Sequence, residues 1–404
     1  MKIIERTTYL DKLKRLNGTP DIKVITGVRR SGKSKLMDSY IDWIKDNEKS
    51  ANIIYINYTD LKYESLKEYH ALNEYIESRY VRGKNNYLFV DEVQLCPDFK
   101  LTINSLHNSG KYDIYVTGSN AFLLSSDLAT LFTGRTYEIE VFPFSFAEFM
   151  EYYQMKDTDK AFEQYLKDGG MAGSYVYRGQ EEKYNYIEDI FDTLIVRDIQ
   201  QKYKIRNTAL MDWVAYFLMD NISNLSSARK IADTLTKNKD TINHKTVSRY
   251  MKYLCNAYAF YKVRRYDIRG KKYLSSSEKY YLSDHAFRYA KLGTKNMDYG
   301  GIIENVVAIE LMRRGYDIFT GVLYEKQIDF VAMKHDEKIY IQVSDDISEE
   351  TAFKREVTPL LKIKDAYPRV LIARSRHEKY QYEGIKIVDV AEWMLENQSG
   401  YVPN

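Results

Sequence analysis

The sequence predicts an α/β chain. A parallel sheet with helices on both faces comes first, then a helical lid, a winged helix and a second α/β domain. Three observations carry this. Gly27-Val28-Arg29-Arg30-Ser31-Gly32-Lys33-Ser34 follows the apolar run Lys23-Val24-Ile25-Thr26 and precedes Leu36, Met37, Tyr40, Ile41 and Ile44 at helical spacing. Tyr87-Leu88-Phe89-Val90 runs straight into Asp91-Glu92. Strand-like and helix-like stretches alternate across the first 148 residues, the pattern of a parallel sheet.

Taken in order, Tyr9, Leu10, Leu13 and Leu16 make a short amphipathic segment that Asn17-Gly18-Thr19-Pro20 ends. The first strand follows, and then the spelling G-x-x-x-x-G-K-S, the P-loop for nucleotide phosphates. Its glycines let the backbone curl so that N–H groups point at phosphate oxygens. Lys33 supplies a cation to the β- and γ-phosphates, and Ser34 a hydroxyl to Mg²⁺. The helix that starts there adds its positive end. Gly27, Val28, Arg29, Arg30, Ser31, Gly32, Lys33, Ser34 and Lys35 are the expected ATP-binding set. Reading the stretch as a plain basic turn leaves Lys33 and Ser34 without a reason.

Residues 53–58 read as a second strand, and a helical stretch from 65 to about 80 leads to the third. Asp91 at the tip of that strand is placed to hold Mg²⁺, and Glu92 to polarise an attacking water. Residues 113–117 read as a fourth strand ending in Gly118-Ser119-Asn120, and 137–141 as a fifth. Ligands of such sheets bind at the carboxyl ends of strands. Asn120 is a candidate sensor of the γ-phosphate or its water; the alternative is a turn-capping amide. Arg135 is a candidate finger for a neighbouring subunit's nucleotide; the alternative is a surface ion pair with Glu138.

From Pro143 to about Asn221 the pattern is helical and tyrosine-rich, broken once at Gly169-Gly170-Met171-Ala172-Gly173. Residues 228–235 and 245–254 then read as helices, and 259–266 and 271–274 as strands joined by a turn, the layout of a winged helix. Only Asp233, Asp240 and Asp267 are acidic between Ala228 and Lys272, against many Lys and Arg. A basic helix-turn-helix is an electrostatic footprint for duplex DNA. Arg249 and Lys252 on the second helix, and Arg269 and Lys271 in the wing, are the expected contacts. The alternative is a winged helix used for packing against protein. After Gly300-Gly301 a helix at 302–311 and strands at 327–332, 338–343, 370–373 and 385–390 form the last domain. The expected divisions are therefore 1–148, 149–221, 222–290 and 291–404.

The chain of 404 residues is 44% hydrophobic and 29% charged, ordinary for a soluble globular protein. No apolar run approaches membrane-spanning length, and the first residues lack a signal-peptide core. Cys96 and Cys255 are isolated, which excludes a disulfide framework and fits a reducing cytoplasm. A net charge of +3 does not by itself demand an acidic partner.

Taken together, the P-loop, Val90-Asp91-Glu92-Val93-Gln94, Thr117-Gly118-Ser119-Asn120, Thr133-Gly134-Arg135, Pro143-Phe144-Ser145-Phe146, residues 265–271, Gln327-Ile328-Asp329-Phe330 and Ile341-Gln342-Val343 resemble a bacterial and archaeal family of AAA-like P-loop ATPases with a C-terminal domain called DUF4143. The resemblance implies an ATPase core, a winged helix and a C-terminal fold similar to restriction-endonuclease-like nucleases. In such nucleases an acid, an Asp and a Glu-x-Lys hold the metal. Glu304 and Asp329 stand in the first two places, but the third reads Gln342-Val343-Ser344, so an inactive nuclease fold is expected. Glu304 is then expected at a helix start and Asp329 at a strand end. The expected activity is Mg²⁺-dependent ATP hydrolysis that drives a conformational change, coupled to DNA through the winged helix. The rivals are a nucleotide-switched signalling or defence protein that binds another protein, and an ATP-regulated nuclease. A homo-oligomer follows if Arg135 acts in trans.

Overall fold

The computed structural model describes residues 4–118, 132, 134–236, 242–294, 298–375 and 379–396. The chain forms two compact units, Lys2–Val141 and Phe142–Asn404.

In the first unit α1 (Thr7–Arg15) precedes β1 (Ile22–Thr26), the P-loop and α2 (Lys33–Asn47). Then come β2 (Ala51–Asn57), α3 (Tyr69–Glu77), β3 (Asn85–Asp91), α4 (Phe99–Asn108), β4 (Tyr112–Thr117) and β5 (Thr136–Glu140). The strands are parallel, in the order β2-β3-β4-β1-β5. Every residue of β1 is buried, because a central strand is covered on both faces. Alternation sorts its side chains: Ile22 and Val24 join the core with Leu88, Val90, Ile103 and Val116, while Ile25 joins that with Met37, Tyr40, Phe89 and Tyr115. The buried Lys23 ammonium on β1 is met by Asp113 Oδ1 on β4 at 2.5 Å. The order places β4 between the P-loop strand and the Asp91 strand, so the tips of β1, β4 and β3 stand in a row.

The second unit opens with α5 (Phe146–Tyr153), whose start is a capping box between Ser145 and Glu148. It continues with α6 (Thr158–Asp168) and α7 (Gln180–Thr193), and α7 runs into a π-helix at Leu194–Gln201. Next are α8 (Thr208–Asp220), α9 (Ala228–Thr236), α10 (His244–Asn256), β6 (Phe260–Asp267) and β7 (Lys272–Leu282). Ser226 bridges antiparallel to Glu278 in β7. The two helices and the hairpin expected of a winged helix are thus preceded by α8, and Ser226 adds a single bridge to the hairpin. The remainder is α11 (Ala286–Leu292), α12 (Tyr299–Arg313), β8 (Asp317–Leu323), β9 (Lys326–Lys334), β10 (Glu337–Ser344), α13 (Glu350–Leu361), β11 (Arg369–Ala373), β12 (Tyr380–Tyr382), β13 (Ile385–Asp389) and α14 (Val390–Leu395).

The hairpin does not stand free. One mixed sheet runs β12-β13-β11-β10-β9-β8-β6-β7, and Arg265, Tyr266 and Asp267 pair in parallel with Thr320, Gly321 and Val322. The turn end of this hairpin is thus hydrogen-bonded into the C-terminal sheet. Gly321 is needed at that junction: a Cβ there would lie 2.9 Å from Val331 Cγ2 and 3.0 Å from Ile268 Cδ1. Among the described residues no helix is long and apolar enough to cross a membrane.

Candidate nucleotide site

The P-loop is shaped by close approach and left-handed backbone. Gly27 has φ +130°, and a Cβ on it would lie 2.1 Å from the Val141 carbonyl oxygen. Arg30 at φ 65° and Gly32 at φ +98° complete the curl. Ser31 N–H donates to Val28 O at 3.1 Å, and Leu36 N–H to Gly32 O at 2.9 Å, so helical pairing begins at the loop. Lys33 is buried at the first position of α2, with Nζ 2.9 Å from Gly27 O and 3.1 Å from Val28 O. Its ammonium is thereby held against the loop's own carbonyls. Val28 and Ser31 are buried, Arg29 and Ser34 half-buried, Arg30 and Lys35 exposed. Lys35 pairs with Asp38 at 3.2 Å, one turn further on.

Asp91 ends β3 and is 1% exposed. Burial pushes its carboxyl above the usual range, while hydrogen bonds from Thr117 and Ser34 and the Lys33 ammonium pull the other way. Thr117, the last residue of β4, does two things. Its hydroxyl donates to Asp91 Oδ1 and accepts the Glu92 backbone N–H at 3.2 Å. Glu92 sits in the left-handed region at φ 55°, which turns the chain off the strand tip, and Gln94 Nε2 holds its carboxylate. The structure therefore brings Lys33, Ser34, Asp91 and Glu92 together, and adds Thr117. In the sequence Thr117 is legible only as a strand end, since its place beside Asp91 comes from the pairing of β4 with β3.

Two features fit a bound nucleotide and divalent cation. The Ser31 hydroxyl is buried within the loop and has no hydrogen-bond partner among the described residues; an acceptor such as a phosphate oxygen would satisfy it. The Ser34 hydroxyl and the buried Asp91 carboxylate are in hydrogen-bond contact, a hydroxyl–carboxylate pair suited to a hard cation.

Asn120 lies outside the described residues. Arg135 is exposed and precedes β5, whose residue Thr136 pairs with Ile22 at the start of β1. It therefore sits at the amino edge of the sheet, opposite its own P-loop. Its Nη1 donates to Asn108 Oδ1 at 2.5 Å, while Glu138 accepts from Thr26 Oγ1 at 2.8 Å, contacts different from the Arg135–Glu138 ion pair offered as the alternative to a finger.

In the second unit Lys245, Arg249 and Lys252 lie exposed on one face of α10, opposite Val247, Tyr250, Met251 and Leu254 in the core. Arg269 and Lys271 are exposed at the hairpin turn, with Arg269 5.4 Å from the Tyr324 ring. Glu304 stands within α12, not at its start, and Asp329 within β9, not at its end. The Glu304 expectation failed because the helix begins five residues earlier, at Tyr299 behind the Asp298 cap. Between the two carboxylates lies the ammonium of Lys279, 2.7 Å from Glu304 Oε1 and 3.1 Å from Asp329 Oδ1. Gln342 Nε2 donates to Glu356 at 2.9 Å. Among the described residues no group of three or more His, Cys, Asp or Glu side chains is placed to hold a metal ion.

Residues 19–150 match an AAA domain family. Residues 159–298 match a domain of unknown function, DUF8612, and this replaces DUF4143 as the C-terminal match. An uncharacterized protein of Haemophilus influenzae is 38% identical over 400 residues, 98% of this chain and 99% of that one. An uncharacterized protein of Methanocaldococcus jannaschii is 28% identical over 352 residues, 83% of this chain and 77% of the other. A solved Walker-type ATPase of Pyrococcus abyssi covers 71% of this chain and 95% of its own at 16% identity, with a TM-score of 0.48. With 38% identity over nearly the whole of both chains, this chain belongs to one family with the Haemophilus protein, and it joins an AAA-type P-loop ATPase domain to a C-terminal domain of unknown function.

Proposed function

We propose that this chain hydrolyses ATP with Mg²⁺ and uses the cycle to change how its winged helix engages duplex DNA. The observation that carries the first half is the row at the carboxyl edge of the sheet, in which Ser34 and Thr117 both hydrogen-bond Asp91 beside the P-loop. The backbone N–H groups of 28–34 and Lys33 would bind the phosphates. Ser34 and Asp91 would hold Mg²⁺, which when bound neutralises phosphate charge. Glu92, turned off the strand tip and held by Gln94, would orient and polarise the water. The exposed cationic face of α10 supports the DNA half.

A second reading, a nucleotide switch that binds another protein, is favoured by the tethered wing, because a wing paired into a sheet is less free to follow a groove. The test is ATP turnover by the full chain with and without duplex DNA. Wild type should turn over ATP faster with DNA. Glu92→Gln should keep ATP bound and lose roughly 10²-fold or more in rate. Lys33→Ala should instead lose binding. Turnover indifferent to DNA would move the reading to the protein-binding switch, and a Glu92→Gln enzyme as fast as wild type would remove the assigned base.

A further inference from the structure

Arg6 lies just before α1, yet it is 6% exposed, and its Nη1 donates to the carbonyl oxygen of Ser31 in the P-loop at 2.9 Å. The guanidinium also approaches Gly32, within 3.8 Å of where a Cβ on that glycine would be. Its position is set from its own side. The Arg6 carbonyl accepts the N–H groups of Tyr9 and Leu10 at 3.0 and 2.9 Å, and the guanidinium lies 4.6 Å from the Tyr9 ring centroid. Tyr9, Leu10 and Leu13 in turn share a core with Leu36, Met37 and Tyr40 of α2. The guanidinium is thus carried at the start of α1, which packs on the helix that begins at the loop.

The chemistry follows from the planarity of the peptide bond. The Ser31 carbonyl and the Gly32 N–H belong to one trans peptide unit and point in opposite directions. A donor that fixes the carbonyl on one side therefore aims the N–H to the other. Gly32, with φ +98° and no side chain, meets little barrier to the flipped peptide. A flip would turn a carbonyl dipole into the curl, where it would repel phosphate oxygens. We propose that Arg6 is a positioning residue that locks the Ser31–Gly32 peptide with its carbonyl outward and its N–H toward the phosphates. The proposal rests on the ATP-binding reading of the loop. The role makes the N-terminal helix part of the nucleotide site, and it acts on binding rather than on the hydrolytic step.

The experiment measures ATP binding with Mg²⁺ by calorimetry on full-length protein, and steady-state turnover in parallel. Arg6→Ala should raise the ATP Kd about tenfold, the scale of one charge-assisted hydrogen bond. Its kcat at saturating ATP should stay within about threefold of wild type, because Glu92, Asp91 and Thr117 are untouched. Arg6→Lys should not restore the Kd, since a lone ammonium lacks the planar fork. Should Arg6→Ala fold poorly, Arg6→Lys alone carries the same comparison. A wild-type Kd in either variant overturns the peptide lock, as does a loss confined to kcat. Wild-type protein that does not bind ATP overturns the ATP reading itself, an outcome seen before any variant is made.

Discussion

The Lys279 ammonium stands 2.7 Å from the Glu304 carboxylate, deep in the C-terminal sheet domain, with 2% of the lysine side chain exposed. Asp329 Oδ1 is its second anion at 3.1 Å, and Tyr281 OH donates to Glu304 at 2.6 Å. Burying an ammonium is costly unless it is paired, and here two carboxylates pair it. The consequence for chemistry is direct. The space between the two acids that a nuclease reading would give to a divalent cation holds a protein cation instead.

Lys279→Met should therefore destabilise the protein by about 3–5 kcal/mol, because it leaves buried carboxylates without their cation. Adding Glu304→Gln to Lys279→Met should recover part of the loss. Urea unfolding followed by far-UV circular dichroism measures both. A single variant as stable as wild type would mean that the ammonium is incidental. In the same preparation, wild-type protein with ATP and Mg²⁺ or Mn²⁺ should leave linear and supercoiled DNA intact, and cleavage lost in Asp329→Ala would restore the nuclease reading.

The pH dependence of stability follows from the same cluster. Burial, then the neighbouring Asp329 charge, push the Glu304 carboxyl up to about 7 from its ordinary 4.5, against the pull of Lys279 and Tyr281. The folded state thus holds a proton that the unfolded chain gives up between those two values. Stability must fall as pH rises through that window, because the folded state binds more protons there. Glu304→Gln has no proton to lose and should flatten this slope. Unfolding midpoints taken at about pH 5, 6, 7 and 8 decide it; parallel curves for the two proteins would rule Glu304 out as the source.

Thr117 links the two acids of the candidate ATP site, so its hydroxyl should matter more than its size. Thr117→Val keeps the shape and removes the donor to Asp91 and the acceptor for Glu92 N–H. A buried polar group left unpaired costs about 1–3 kcal/mol. Turnover should fall about tenfold or more with little change in ATP affinity, because the phosphates are held elsewhere. Thr117→Ser should restore most of it. Equal rates for Val and wild type would show that the acids hold their places unaided.

Much of this was legible before any coordinates. The P-loop and Asp91-Glu92 announce themselves because each residue type has one chemical use at that spacing. Thr117 was visible only as a strand end, since its role comes from the pairing of β3 with β4, a contact between separate stretches of chain. Lys279 was invisible for a related reason. Its partners come from α12 and β9, 25 and 50 residues away, and an isolated lysine in a strand reads as solvent-facing. The attachment of the β6–β7 hairpin depends on parallel pairing of β6 with β8 across more than one intervening helix, which local pattern does not encode.

The proposed DNA contact separates into two unequal parts. Arg249 and Lys252 project from the open face of α10, whereas Arg269 lies over Tyr324 at a turn joined to the sheet. Replacing Arg249 and Lys252 with Ala should weaken duplex binding across sequences and lower the slope of log affinity against log salt by about two. Replacing Arg269 and Lys271 should cost less. Fluorescence anisotropy over a salt series measures both, and binding that is absent at low salt, or insensitive to the α10 pair, would favour a protein partner for this face.

Arg135 tests assembly. It precedes β5 at the amino edge of the sheet, and a five-residue strand puts it roughly 16 Å from the level of the P-loop. An exposed arginine in that place cannot serve its own nucleotide, so any catalytic use is in trans, on the nucleotide of a second copy. Arg135→Ala should then bind ATP normally and hydrolyse it about 10³-fold more slowly. Glu92→Gln is slow for a different reason, since it lacks the base but keeps the finger. Mixing the two inactive proteins should recover activity, because some interfaces then combine an intact Glu92 on one copy with an intact Arg135 on the other. Recovery should rise with total protein concentration, as association requires. Light scattering supplies the control: wild-type protein that is fully active while strictly monomeric would assign Arg135 to its contact with Asn108 and nothing more.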